Sequence, residues 1–231
     1  MKFNGILLLT LVLFLSSCFD DKKKEIVDDK KQEKKKATEL FEFLPAEKTG
    51  VTFNNSFTAE AELKFYEFQY QFNGGGVGIA DFNNDGKNDV FFTGNEVENK
   101  LYLNKGDLAF EDITEKSGTG LPNSWSNGVC LIDINGDGLT DIYVSKGGMK
   151  SAEEKKNAML INNGDLTFTD KADEMGIADT GWSTQSVFFD YDNDGDLDLF
   201  VLNHPNRWEG DEKMSRDHYK RAVIGADQFY E

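Results

Sequence analysis

Three stretches of this chain bring oxygen ligands together at one fixed spacing. They read VGIADFNNDGKNDVFF from Val77, VCLIDINGDGLTDIYV from Val129 and VFFDYDNDGDLDLFV from Val187. Each holds D-x-[DN]-x-[DN]-G-x-x-D. Positions 1, 3 and 5 are Asp81, Asn83 and Asp85 in the first, Asp133, Asn135 and Asp137 in the second, and Asp190, Asp192 and Asp194 in the third. Such hard oxygens suit Ca²⁺, which takes about 6–8 oxygen ligands at roughly 2.3–2.6 Å. Three side chains of a tight loop can converge on one ion. Position 7 can add a backbone carbonyl, from Lys87, Leu139 or Asp196. Position 9, Asp89, Asp141 or Asp198, closes the shell. Glycine at position 6 permits the sharp turn. The spacing therefore predicts about three Ca²⁺ sites.

The flanks say which elements carry these loops. An EF-hand would need Glu at position 12 and helices on both sides. Position 12 is Phe92, Val144 and Val201 here, and the flanks are short β-branched and aromatic runs. These read as strands, so each loop joins two strands. The glycine-rich run Gly74-Gly75-Gly76-Val77-Gly78 precedes a strand rather than a helix, which excludes a dinucleotide loop. It predicts a close-packed strand start.

The repeat extends further. NKLYLNKGDLAFEDITEKSG from Asn99 matches NAMLINNGDLTFTDKADEMG from Asn157. Both read as a hairpin with a turn at N-[KN]-G-D. Trp125-Ser126 and Trp182-Ser183 each stand eight residues before a loop Asp. Each unit thus holds four short strands in 50–60 residues, the first aspartates being 52 and 57 residues apart. That is the size of a β-propeller blade. The expected fold is all-β, a propeller of four-stranded blades with about three present.

On these motifs residues 41–231 resemble the FG-GAP/VCBS-repeat β-propellers of the bacterial surface lipoprotein type, with calcium loops like those of integrin α heads. The phrases FNGGGVGIADFNNDG from Phe72 and NKLYLNKGD from Asn99 carry the resemblance best. It implies a calcium-stabilised propeller. Asn83 and Asn135 replace the commoner Asp at position 3 and lower the ligand charge, whereas the third loop has five Asp. FEFLPAEKTG at 41–50 resembles FEDITEKSG at 110–118 and suggests that the fold opens on the last strand of a blade. Asp227-Gln228-Phe229-Tyr230 resembles Asn99-Lys100-Leu101-Tyr102, so the sequence stops inside a hairpin. Three blades do not close a ring. The expectation is an N-terminal part of a longer protein, the alternative an open array that dimerises. Residues 206–227 read as an insertion between the second and third strands of the third blade, a helix-tolerant stretch in which Arg207, Trp208 and His218 offer either packing or a ligand surface.

The N-terminus reads as an address. Lys2 is followed by an apolar run from Ile6 to Leu15, too short to span a membrane. Leu15-Ser16-Ser17-Cys18 resembles a lipobox, which implies a signal peptide at 1–17 and a lipid on Cys18. Phe19 lacks the Asp that favours inner-membrane retention in such lipoproteins, which leans the location to the outer membrane or cell surface. Residues 18–40 mix lysines with acids and read as a solvated tether.

The chain's net charge is −17, and residues 51–231 carry −18 of it against +1 before them. Such acidity excludes a nucleic-acid partner, which needs a basic face. Eleven of the 33 acids after residue 50 lie in the three loops. With two His and no Ser/His/Asp constellation, no catalytic residues stand out. Cys130, in an apolar strand, reads as a small core residue, and Trp125 and Trp182 as blade packing. The expected function is a lipid-anchored surface module that binds or scaffolds protein or polysaccharide. The alternative is part of a propeller-containing lyase or hydrolase whose catalytic part lies elsewhere.

Overall fold

The structure, a computed structural model, describes residues 41–58, 68, 70–204 and the backbone of 228–230. The signal peptide, Cys18, the tether and residues 206–227 lie outside the described residues.

Three antiparallel sheets follow one another along the chain. The first is β1 (Val77–Ala80), β2 (Asp89–Phe92), β3 (Lys100–Gly106) and β4 (Ala109–Asp112), paired in that order. The second is β5 (Ser126–Ile132), β6 (Asp141–Lys146), β7 (Ala158–Asn162) and β8 (Phe168–Asp170), in the same order. The third is β9 (Ser183–Phe189), β10 (Asp198–Asn203) and β11 (Gln228–Tyr230). Tyr230 pairs with Leu199 as Tyr102 pairs with Val90, so β11 holds the register that its likeness to 99–102 implies. Two sheets thus have the four strands expected of a blade, and the third has three among the described residues.

Side-chain alternation explains the stacking. A strand sends successive side chains to opposite faces. Ile142 and Val144 of β6 pack with Phe91, Leu101 and Leu103 of the first sheet and with Phe82 of its first loop. Tyr143, between them, packs with Leu199 and Val201 of the third. The middle sheet is therefore covered on both faces, and every residue of β6 is buried. Cys130 is half-buried against this second cluster, as a small apolar residue would be.

The first strands of the three sheets, β1, β5 and β9, lie side by side; Gly76, where a Cβ would stand 3.0 Å from the Val129 nitrogen, and Gly78 let β1 approach β5, while Gly75 lets it approach the end of β2. A Cβ on Gly75 would stand 2.1 Å from the Thr93 carbonyl oxygen, and one on Gly78 would meet Leu131 at 3.1 Å. Gly75→Ala should cost about 2 kcal/mol, since the obstacle is backbone rather than a mobile side chain. The check is the urea midpoint; an unchanged midpoint would refute the close approach.

Short helical turns end the blades: α1 (Ala46–Thr49) and α2 (Thr114–Ser117), capped by Gly50 at φ 77° and Gly118 at φ 74°. The likeness of 41–50 to 110–118 therefore lies in this turn and its glycine. It does not extend to a strand. Residues 41–45 join no ladder, and Phe43 is 89% exposed with no neighbouring strand among the described residues. A third turn, α3 (Ala152–Lys155), starts at Ser151, whose hydroxyl and Glu154 form a reciprocal cap.

The topology sorts the connections between two ends. The three loops at 81–88, 133–140 and 190–197 lie at one end with the β3–β4 and β7–β8 turns. The connections at 93–99, 113–125 and 147–157 lie at the other. There Trp125 is buried among Phe57 and Phe68, and its indole N–H donates to Asn127 Oδ1 at 3.0 Å. Trp182 meets the edge of Phe68, and the Lys155 ammonium sits over it at 5.0 Å. Both tryptophans are packing residues.

Candidate metal centres

Each loop is a compact turn closed by its own acids. In the first, Asp81 accepts the backbone N–H of Asp85 at 3.0 Å and of Gly86 at 2.6 Å. Asn83 Oδ1 also accepts Asp85 N–H, and Asp85 accepts Lys87 N–H at 2.9 Å. The second loop repeats this: Asp133 accepts from Asp137 and Gly138, Asn135 from Asp137, and Asp137 from Leu139. In the third, Asp190 accepts from Gly195, Asp192 from Asp194, and Asp194 from Asp196. The side chains at positions 1, 3 and 5 are thus folded inward over one turn.

The turn needs left-handed backbone twice. Position 6 is Gly86, Gly138 and Gly195, at φ 84°, 82° and 99°. Position 4 is Asn84, Gly136 and Asn193, at φ 56°, 72° and 64°. Asparagine and glycine are the residues that tolerate this region best. Position 4 was not among the expected site residues, although its Asn/Gly/Asn pattern carried the signal.

Position 9 does different work. Asp89, Asp141 and Asp198 open β2, β6 and β10 and are buried. Asp89 accepts Phe82 N–H at 3.0 Å and Asn104 N–H at 2.8 Å. Asp141 accepts Ile134 N–H at 3.0 Å and Asn162 N–H at 2.8 Å. Asp198 accepts Tyr191 N–H at 2.7 Å. In the first two blades this carboxylate ties the loop to the third strand. Burial pushes the Asp89 and Asp141 carboxyls up, against the pull of those N–H donors. Asn104 and Asn162, the first residues of the N-[KN]-G-D turns, are a second unanticipated part of the site. Asn162 Nδ2 also donates to the Phe82 carbonyl of the preceding blade at 2.8 Å.

The loops differ in charge. In the first, the Lys87 ammonium lies 2.8 Å from Asp85 Oδ2, and this hydrogen bond holds the Asp85 carboxyl below the usual range. In the third, the carboxylate oxygens of Asp190, Asp192 and Asp194 lie within 4.8 Å of one another, and all three side chains are exposed. That group does not include Asp196 or Asp198. The Asp196 carboxyl is pushed up by a side-chain hydrogen bond with Asp194 and by repulsion from its neighbours. Oxygen donors alone, crowded and mutually repulsive, match a hard divalent cation.

The sequence profile of the family described as FG-GAP-like repeat matches residues 81–144 and 151–201, which begin at or span these loops. Cartilage acidic protein 1 of Xenopus tropicalis is 28% identical over 178 residues, covering 77% of this chain and 26% of that protein. Its Homo sapiens counterpart is 28% identical over 135 residues, covering 56% and 19%. Integrin alpha-8 of Gallus gallus is 27% identical over 172 residues, covering 68% and 16%. The chain spans about a quarter or less of the length of these relatives. With antiparallel sheets of four strands and a loop at each first turn, this is an all-β chain that carries FG-GAP-like repeats.

Proposed function

We propose that this chain is a calcium-stabilised binding or scaffold module, held at the outer membrane or cell surface by a lipid on Cys18. It engages protein or polysaccharide through the end of its blades opposite the acidic loops. The convergence of Asp190, Asp192 and Asp194 on one small volume, in a loop whose plan recurs twice, carries the calcium part of the reading. Asp81, Asn83 and Asp85, and Asp133, Asn135 and Asp137, would hold ions in the other two. A bound ion supplies the positive charge that offsets the clustered carboxylates. Backbone carbonyls at Lys87, Leu139 and Asp196 complete the donor set. Asp89, Asp141 and Asp198 anchor each loop and keep lone pairs spare for an ion, because a carboxylate has about four acceptor sites.

The opposite end supports ligand engagement. A cavity of about 460 Å³ there is lined by Gln71, Glu96, Glu98, Trp125 and Lys150, among others. Among the described residues the buried Gln71 amide nitrogen has no hydrogen-bond partner. Among the described residues no helix is long and apolar enough to cross a membrane; an anchor at Cys18 is proposed from the lipobox-like Leu15-Ser16-Ser17-Cys18.

Ligand charge sets calcium affinity in such loops. Asp192→Asn should weaken binding at the third loop by about tenfold, and Asn83→Asp should strengthen the first by a similar factor. Calorimetric titration with Ca²⁺ tests both. No heat of binding in the native chain would sink the calcium reading. Glycan arrays and pulldown from membrane fractions test the ligand part, and labelling with a radioactive fatty acid, abolished by Cys18→Ser, tests the anchor.

A further inference from the structure

Among the described residues four asparagines precede a glycine: Asn73, Asn127, Asn135 and Asn163. In such a pair the glycine nitrogen can attack the asparagine side-chain amide, because no Cβ shields it. The structure sorts the four. Asn127 lies in β5, its Nδ2 donates to the Ser183 carbonyl at 2.7 Å, and a Cβ on Gly128 would stand 2.1 Å from Gln185 Oε1. After Asn163, the Gly164 N–H is already given to Asn162 Oδ1 at 3.0 Å. Asn73 and Asn135 are exposed, and the N–H groups of Gly74 and Gly136 have no acceptor among the described residues. A Cβ on either glycine would meet nothing within 4 Å.

Asn135 differs from Asn73 in two ways. Its amide oxygen accepts the Asp137 N–H at 3.1 Å, which draws electrons from Cγ and makes that carbon the better target. It also stands at position 3 of the second loop. In the first loop Asn83 is followed by Asn84, whose side chain is tied to the Gly138 carbonyl at 3.2 Å. The third loop already has an acid there, Asp192. The aspartate–glycine steps at positions 5 and 6 are closed to the same attack, because Asp81, Asp133 and Asp190 accept the N–H groups of Gly86, Gly138 and Gly195.

We propose that Asn135 is a self-modifying site whose deamidation rewrites the donor set of the second loop. Gly136 N forms a bond to Asn135 Cγ while its proton passes to solvent base. The Cγ–Nδ2 bond breaks, Nδ2 leaves as ammonia with a proton from water, and a cyclic imide remains. Water then opens the ring. Opening at Cγ leaves an aspartate at position 135, and the acids at positions 1, 3 and 5 then equal those of the third loop. Opening at the main-chain carbonyl leaves an isoaspartyl link. That link routes the backbone through the side chain and undoes the turn that brings Gly138 N–H to Asp133 at 2.8 Å. With its amide oxygen on an ion, Asn135 is held away from Gly136, so calcium gates the reaction. The gate rests on the calcium reading above; the cyclisation does not.

Peptide mapping by mass spectrometry of the full chain, aged at physiological temperature in EDTA, tests the site. The Asn135 peptide should gain the mass of an NH2-to-OH exchange and an isoaspartate signal, while the Asn127 and Asn163 peptides stay intact. Gly136→Asn, which copies position 4 of the other two loops, should lose the conversion. Millimolar calcium should slow it about tenfold or more by mass action and leave Asn73 unaffected. Asn135→Asp, the aspartyl product in uniform form, should bind calcium about tenfold tighter at the second loop in calorimetry. An Asn135 peptide that ages no faster than that of Asn163, or as fast in the Gly136→Asn chain, overturns the proposal. Equal rates with and without calcium, in a chain that shows heats of calcium binding, overturn the gate. Conversion in EDTA with no such heats supports the site and removes the calcium reading alone.

Discussion

Chelation of calcium from the loaded protein should lower its melting temperature by about 15 °C or more. An ion that binds only the folded form stabilises it by about 2.7 kcal/mol per site at a hundredfold excess over Kd. Three such loops would add roughly 8 kcal/mol, and each kcal/mol moves the midpoint of a domain this size by about 2–4 °C. The direction follows from the loops themselves. Asp190, Asp192 and Asp194 crowd within 4.8 Å, and Asp196 is repelled by the same group. Without a cation, only solvent and backbone N–H donors relieve that repulsion. The third loop should therefore loosen first, which hydrogen exchange at Asp194 to Asp196 would show. Calorimetric scans in EDTA and in millimolar Ca²⁺ that superimpose would remove calcium from the account of stability.

Asp141→Ala should cost about 3–5 kcal/mol whether or not calcium is present. The carboxylate is fully buried and accepts two backbone N–H groups, from Ile134 and Asn162. Each hydrogen bond to a charged acceptor is worth about 1.5–3 kcal/mol, and removing it strands a donor in the interior. The middle blade magnifies the loss, because its strands are covered on both faces and cannot relax toward solvent. Asp133→Ala is the contrast. Its partners, Asp137 and Gly138 N–H, are exposed to water. Their loss should matter chiefly through the ion, so Asp133→Ala should forfeit stability in calcium and little in EDTA. Equal losses for the two variants in EDTA would refute the division between anchor and ligand.

That division marks how far the sequence could be read. The loops, their flanking strands and the β3–β4 hairpin follow from residue types at fixed spacing, because turn chemistry is local. The helical turns at Ala46 and Thr114 went unread, although a glycine just past the last helical residue marks each one. Position 9 was legible as an acid, but not as one whose oxygens are engaged by Phe82 and Asn104 N–H groups, 7 residues back and 15 residues ahead. That pairing depends on where the third strand lies. The double burial of β6 was hidden too. The apolar run Ile142-Tyr143-Val144 is too short to tell a strand covered on both faces from one covered on a single face, and only a sheet on either side buries Ser145 and Lys146. The blade-ending strand expected in 41–50 does not form, because a strand needs a partner and Phe43 has none among the described residues.

The reach of Asn84 to the Gly138 carbonyl has one more consequence, for cooperativity. It joins position 4 of the first loop to position 6 of the second. Whatever orders one loop therefore prepays part of the ordering of the other, a coupling that acts equally in both directions. The second loop cannot pass this on, because its own position 4 is Gly136 and has no side chain to extend. Among the described residues the first two loops form a linked pair, and the third, with the most carboxylates, would take an ion by itself.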